Sequence, residues 1–135
     1  MITLEQAINI YELNDNFTHK SFYTKNNTRV HVFNYGLASP SDFSEPFKGS
    51  GFSAYEMRGI VFVDYPEKVD TFPFLRKFFG INSTGITMEK VLRNKNIISC
   101  YEKLDGSLCG FVYIDGVIRV RTSNDIAVFE GDKDS

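Results

Sequence analysis

Residues 99–111, SCYEKLDGSLCGF, place one lysine beside two acidic residues and an Asp-Gly pair. The amine of Lys103 can attack phosphorus or a carbonyl carbon only after it loses a proton, and its ordinary pKa is about 10.4. Glu102 and Asp105 could orient the amine or bind a hydroxyl or a metal ion, and Gly106 would let the backbone approach a ligand closely. A plain hairpin turn at Asp105-Gly106, with Lys103 in solvent, is the structural alternative.

Basic residues elsewhere could lower the pKa of that amine and bind phosphate oxygens. Arginine binds a phosphate as a two-pronged fork, whereas lysine acts as a point charge. Arg58 is also consistent with a charge at the edge of a strand. Arg119 and Arg121 alternate along one strand, which is typical of the solvent-facing side of a sheet. The candidates are Arg58, Arg76, Lys77, Arg119 and Arg121.

Three ordered blocks resemble motifs of the covalent nucleotidyltransferases. YEKLDGSL (101–108) resembles the Lys-x-Asp-Gly motif of ATP-dependent ligases and capping enzymes. EMRGIVF (56–62) resembles the Arg-Gly block of the RNA-ligase branch, and FLRKFFG (74–80) resembles its Lys-Phe-Phe block. Their order and approximate spacing also agree, and three ordered blocks are far more specific than one tetrapeptide. Residues 1–125 are therefore similar to the N-terminal part of the phage-type, tRNA-repair RNA ligases.

In that family a lysine attacks the α-phosphorus of ATP and keeps the AMP as lysyl-AMP. The AMP then passes to the 5′-phosphate of an RNA, and a 3′-hydroxyl displaces it and seals the strand. The resemblance implies that Lys103 is the nucleophile, that ATP and Mg²⁺ are the cofactors, and that RNA with 5′-phosphate and 3′-hydroxyl ends is the substrate. It assigns nucleotide contacts to Glu102, Asp105, Gly106, Arg58, Lys77 and Arg121, and it assigns no metal ligand.

The sequence also departs from the family pattern. After the Asp-Gly turn at 115–116 the family shows two basic residues one apart, followed by Gly-Ser. Here Arg121 is followed by Ser123 at the second basic position, and pairing Arg119 with Arg121 instead shifts the register. The later Glu-Gly and Lys-x-Lys blocks of the family do not follow residue 125. We therefore expect an incomplete adenylation domain at 1–125 and a polar tail at 126–135.

Three hypotheses follow from these features. The chain is part of an RNA ligase whose site is completed by a second polypeptide, or it is an inactive ligase remnant that binds nucleotide, RNA or a protein partner. In the third hypothesis the resemblance misleads, and Asp105-Gly106 is only a turn in a small antiparallel domain.

The elements that must position these residues predict an α+β fold dominated by antiparallel strands. The apolar spacing of the first 13 residues predicts a helix, and Thr3 with Gln6 predicts a capping box. Two strands flank a polar turn at 25–27, and a buried strand follows Gly59. A two-residue turn at 115–116 joins two further strands. We also predict a loop at 37–52, a short helix at 87–93 and strands at 96–104 and 107–114.

Composition limits the class of protein. The 135 residues suit one domain, and 42% of them are hydrophobic, which is typical of a globular chain. The net charge of −2 supplies no overall basic field, so RNA must bind through a local patch. His19 and His31 stand apart in sequence, and with Cys100 and Cys109 they form no zinc motif. We expect no signal peptide or membrane span, and a cytoplasmic location, in an infected host if the gene comes from a phage.

Overall fold

The computed structural model describes residues 1–36, 40–44, 53–74 and 109–134. These residues all belong to one compact unit. In chain order their elements are helix α1 (Leu4–Leu13), strands β1 (Phe17–Tyr23) and β2 (Arg29–Tyr35), helix α2 (Pro40–Ser44), and strands β3 (Ile60–Asp64), β4 (Val69–Phe72), β5 (Gly110–Ile114), β6 (Val117–Arg121) and β7 (Lys133–Asp134).

Helix α1 begins at the capping box that the sequence predicts. The Thr3 hydroxyl accepts a hydrogen bond from the Gln6 backbone N–H at 3.2 Å, and the Gln6 side chain accepts one from the Thr3 N–H at 3.0 Å. These two bonds satisfy two of the four N–H groups that a helix start leaves without partners. Ala7 and Ile10 form the buried side of the helix.

The strands form two antiparallel sheets. A five-stranded sheet has the order β4-β3-β2-β1-β7, and β5 and β6 form a separate hairpin. β1 and β2 flank the predicted polar turn, where Asn27 adopts a positive φ of 62°. At the predicted two-residue turn, Asp115 and Gly116 have φ of 53° and 80°, as a type I′ hairpin requires.

Apolar side chains cover both faces of the five-stranded sheet. On one face, which we call the valine face, valines of β2 and β3 pack against Val112 and Ile114 of the hairpin. On the other, the aromatic face, the buried rings of Phe17, Phe33 and Phe43 lie in one core with Ile10 of α1. Each fully buried side chain of this size contributes roughly 1.5–3 kcal/mol. The hairpin that carries Arg121 is thereby fixed to the sheet.

Two elements differ from the prediction. The segment at 37–52, rich in Ser and Pro, is predicted as a loop but contains α2, whose Phe43 is fully buried against Phe17 and Tyr35. β4 pairs with β3 although the sequence around it gives no clear strand pattern. The predicted helix at 87–93 and strand at 96–104 lie outside the described residues, as does the start of the strand predicted at 107–114.

The polar segment after residue 125 is held against the body of the protein. Asp132 accepts hydrogen bonds from both terminal nitrogens of Arg119, at 2.6 and 3.0 Å. Gly131, with φ of 93°, packs so closely on Lys25 that a Cβ there would lie 2.7 Å from the Lys25 Cβ. β7 then pairs with the end of β1. Glu130-Gly131 is therefore part of a tight turn.

Candidate functional site

The structure describes two of the seven predicted site residues, Arg58 and Arg121. Arg58 directly precedes Gly59, and Gly59 is the backbone neighbour of Arg121, so the structure brings these two predictions together. The remaining five predicted site residues lie outside the described ranges: Lys77, Glu102, Lys103, Asp105 and Gly106.

The Arg121 side chain is anchored to backbone oxygens on both sides. Its Nη2 donates a hydrogen bond to the Gly59 carbonyl oxygen, and its Nε donates one to the Thr122 carbonyl oxygen at 3.0 Å. Gly59 in turn donates from its N–H to the Phe33 carbonyl oxygen at 2.9 Å. The guanidinium of Arg121 is thereby held against the start of β3.

Gly59 is required at this position for two reasons. Its φ of +78° lies in the left-handed region that residues with a Cβ rarely adopt. A Cβ there would also lie 2.8 Å from the Ser123 carbonyl oxygen and 2.9 Å from Arg121 Nη2. The glycine of the Arg-Gly pair at 58–59 is thus explained by the close approach of Arg121 and of the loop that follows Arg121.

An aromatic ring covers the guanidinium. Arg121 Cζ lies 4.6 Å from the centroid of the Phe74 ring, a cation–π distance. A Cβ on Gly110 would lie 3.1 Å from the same ring, so Gly110 leaves room for Phe74.

Arg119 and Arg121 point inward, so the prediction that they line a solvent-facing surface is wrong. Their exposed fractions are 5% and 2%, whereas Val120 between them is 49% exposed and Ile118 before them is 63% exposed. Alternation along a strand predicts that residues two positions apart share a face, but which face is covered depends on the sheet that packs against the strand. Here the covered face carries the arginines.

The two arginines differ in their charge partners. Arg119 is paired with Asp132, and its guanidinium also lies 4.0 Å from the centroid of the Phe129 ring. Among the described residues Arg121 has no carboxylate partner, and its Nη1 is buried without a hydrogen bond. Burial lowers the pKa of Arg121 to about 10, which leaves it charged at neutral pH. A buried cation without an acid is a favourable position for an anionic ligand.

The sequence analysis did not single out Asn34, which supports this region. Asn34 is 7% exposed on the valine face, and its Nδ2 donates to the Ser123 carbonyl oxygen at 2.9 Å and to Asn124 Oδ1 at 2.7 Å. These two bonds fix the loop at 122–125, whose Ser123 carbonyl oxygen packs against Gly59. Asparagine on the same strand face as Val30 and Val32 is the one local signal that could have identified it.

His19 and His31 are neighbours in space, although the sequence separates them. His19 Nε2 and His31 Nδ1 lie 2.9 Å apart, which is a hydrogen bond that shares one proton. Burial, with the charge of Arg29, lowers the pKa of both rings, that of His31 to about 4. Within the described ranges there is no group of three His, Cys, Asp or Glu side chains that could hold a metal ion.

One of the comparisons with known proteins finds a similar chain. Over 126 residues the chain is 33% identical to a protein of Thermovibrio ammonificans named "Putative RNA ligase". The match covers 93% of this chain and 30% of that relative, so the chain spans less than a third of the relative's length. No model of a protein family and no solved structure matches the chain. Over the ranges that the structure describes, no helix is long and apolar enough to cross a membrane.

Proposed function

We propose that the chain is part of an ATP-dependent RNA ligase and carries the lysine that is adenylylated. The observation that carries this proposal is the identity to a protein named as an RNA ligase, which spans nearly the whole chain. The geometry of Arg121 supports it, because this buried cation has no acidic partner among the described residues and lies against the Arg-Gly pair. Such a cation suits the phosphates of a nucleotide.

The proposed first step takes place at Lys103. Its neutral Nζ attacks the α-phosphorus of ATP, a nitrogen–phosphorus bond forms, and the bond to the bridging oxygen of the β-phosphate breaks. Pyrophosphate leaves with the electron pair, and the amine loses a proton. AMP then moves to a 5′-phosphate of RNA, and a 3′-hydroxyl displaces AMP as the strand is sealed. Phosphoryl transfer of this kind depends mainly on positioning and on neutralising the developing charge.

In this proposal the cations neutralise phosphate charge and hold the nucleotide in line with Lys103. Arg58, Lys77 and Arg121 bind the nucleotide, and Glu102, Asp105 and Gly106 belong to the same nucleotide site. Mg²⁺, when bound with ATP, shares the neutralisation of the phosphates. Among the described residues no group of three His, Cys, Asp or Glu side chains could hold a metal ion. In this proposal the chain contributes its basic side chains to the same neutralisation. Elements that correspond to the rest of the relative would come from another polypeptide or from further sequence.

Intact mass spectrometry tests the proposal directly. The chain, a Lys103→Ala variant and a Lys20→Ala control are each incubated with ATP and Mg²⁺. Lys20 is an exposed lysine paired with Asp125, so its loss removes the same charge away from the site. We expect an added AMP on the parent and on Lys20→Ala only, either with the chain alone or after addition of the remaining two thirds of the relative. If neither condition yields the adduct, the chain is a remnant without ligase chemistry.

A further inference from the structure

Basic and aromatic side chains lie together on the aromatic face where β7, β1 and β2 run side by side. Lys133 is directly opposite Tyr23, and Tyr23 is directly opposite Arg29. Residues opposite each other on neighbouring strands point to the same face, so Tyr23 lies between two cations. Arg29 Cζ is 5.6 Å from the centroid of the Tyr23 ring. These three residues, with Ser21 and His19 further along β1, form what we call the basic-aromatic strip.

Arg29 has hydrogen-bonding capacity that the described residues do not use. Its Nη2 reaches Ser21 Oγ only at 3.4 Å, and its Nε is buried without a partner. Asp64 is its neighbour on β3, yet no carboxylate of the described ranges lies within ion-pair distance of Arg29. An arginine with an unused nitrogen and no carboxylate within ion-pair distance among the described residues is suited to an oxyanion.

A cavity of about 650 Å³ extends beside the strip along the outer edge of β1, and His19, Ser21, Arg29 and Lys133 are in its wall. β7 covers this edge only at Phe22 and Tyr23. At the two ends of the β1–β2 pair, the Gly36 N–H donates to the Asn16 carbonyl oxygen and the Thr24 N–H donates to the Thr28 carbonyl oxygen. The even-numbered residues of β1 therefore exchange their backbone hydrogen bonds with β2. The N–H groups of His19 and Ser21 therefore point away from β2, toward the cavity.

Three aspartates are also in the wall of this cavity, of which two are paired with cations and one points to the other face of the sheet. Asp132 is paired with Arg119, and Asp125 is paired with Lys20. Asp134 is opposite Phe22, so it lies on the face opposite to that of its neighbour Lys133. On the face of the strip, Arg29 and Lys133 are the charged residues in the cavity wall, and Asp64, opposite Arg29 on β3, is outside that wall.

We propose that the basic-aromatic strip binds single-stranded RNA, with a base stacked at Tyr23 and phosphates on Arg29 and Lys133. Aromatic rings interleaved with cations are how proteins bind single strands without reading their sequence. The choice of RNA rests on the proposed function. The strip is distinct from the Arg121 site, because Arg121 lies on the valine face and Gly59 is bonded to Phe33, four residues or about 13 Å along β2 from Arg29.

Fluorescence anisotropy with a 3′-labelled, 5′-phosphorylated oligoribonucleotide of about 12 nucleotides tests the strip. We expect Arg29→Gln and Tyr23→Ala each to weaken binding by about fivefold or more. Each lost phosphate contact should also reduce the slope of log affinity against log salt by about 0.7. The matched control is Lys68→Gln, which removes the same charge between β3 and β4, outside the wall of the cavity, and should leave the slope unchanged. Arg29→Lys should retain most of the slope, and thermal unfolding verifies that each variant is folded.

Two results would overturn this inference. One is that the strip variants do not differ from the control, either because affinity and slope are unchanged in the Arg29→Gln, Lys133→Gln double variant or because Lys68→Gln causes an equal loss. The other is binding of a hexaglutamate peptide without binding of the oligoribonucleotide, which would assign the strip to an acidic polypeptide. The strip variants should form the AMP adduct as the parent does, because adenylylation precedes RNA binding. Absence of the adduct in the parent both alone and with the remaining two thirds of the relative would contradict the proposed function, whereas the RNA titration tests the strip independently.

Discussion

Arg119 and Arg121 lie two residues apart on the same buried face of β6, but only Arg119 has a carboxylate partner among the described residues. Arg119 and Asp132 neutralise each other and tie the segment after β6 to the hairpin. Arg121 instead donates to the backbone of Gly59 and Thr122 and retains one unpaired nitrogen. The pairing separates a structural arginine from one that is available to a ligand.

This difference predicts opposite consequences for the two arginines. Arg119→Met leaves the Asp132 carboxylate buried and unpaired, and we expect a loss of about 3 kcal/mol in the free energy of unfolding. Arg121→Met removes a buried cation with no acid beside it, so the loss should be distinctly smaller. Urea unfolding of both variants measures the contrast. The Arg119→Met, Asp132→Leu double variant should recover stability, and failure to recover would contradict a pairwise interaction.

Gly59 should tolerate no larger side chain. In Gly59→Ala the left-handed backbone and the contacts of 2.8 and 2.9 Å act together, and we expect a loss of about 2–3 kcal/mol. Gly36→Ala is the matched control, because a Cβ at Gly36 would meet nothing within 4 Å. Its free energy of unfolding should change by about 0.5 kcal/mol or less. Equal losses in the two variants would show that the close approach of Arg121 has no energetic weight.

Local sequence signals predicted the elements that are determined by interactions between residues close together in the sequence. The Thr3–Gln6 capping box, the polar turn at 25–27 and the Asp115-Gly116 turn all depend on residues within a few positions of one another. The structure contains each of them. In the site, the Arg-Gly pair at 58–59 was identified instead by its resemblance to a ligase block, and the φ of +78° at Gly59 is a reason for the glycine that only the structure reveals.

Features that depend on distant contacts were not predictable in the same way. Alternation showed that Arg119 and Arg121 share a face, but the valines of another sheet determine that this face is covered. Asn34 contacts the loop at 122–125 across nearly 90 residues of sequence. His19 and His31 are paired only because β1 and β2 fold back on each other.

The histidine pair predicts how stability depends on pH. The pKa of each ring is lowered in the folded chain, chiefly by burial and then by Arg29, while the unfolded value is about 6.5. Below about 6.5 the unfolded chain binds protons that the folded chain does not, so stability falls as the pH is lowered toward 4. Thermal unfolding between pH 7.5 and 4.5 should show this decline, and His31→Phe should reduce its slope.

The carboxylates of Asp115 and Asp132 affect stability in a lower pH range than the histidines do. Burial of Asp115 opposes ionisation, but hydrogen bonds from Thr24 and Thr28 lower its pKa, and Arg119 lowers that of Asp132. Their contribution is present above the ordinary carboxyl pKa of about 4 and is lost below it. A decline that begins only below pH 4, with none between 6.5 and 5, would contradict the role of the histidines.

Asn34 is expected to hold the loop that shapes the Arg121 site. In Asn34→Leu the Ser123 carbonyl oxygen and Asn124 side chain lose a buried donor, which should cost about 1–3 kcal/mol in the free energy of unfolding. Asn124→Ala removes only one of the two bonds and should cost less. Hydrogen exchange at the Gly59 amide, which is bonded to Phe33, reports on the site itself. We expect faster exchange at Gly59 in Asn34→Leu than in Asn124→Ala, because Asn34 holds the Ser123 carbonyl oxygen that packs on Gly59. Equal exchange in both variants would mean that the loop keeps its place without the Asn34 side chain.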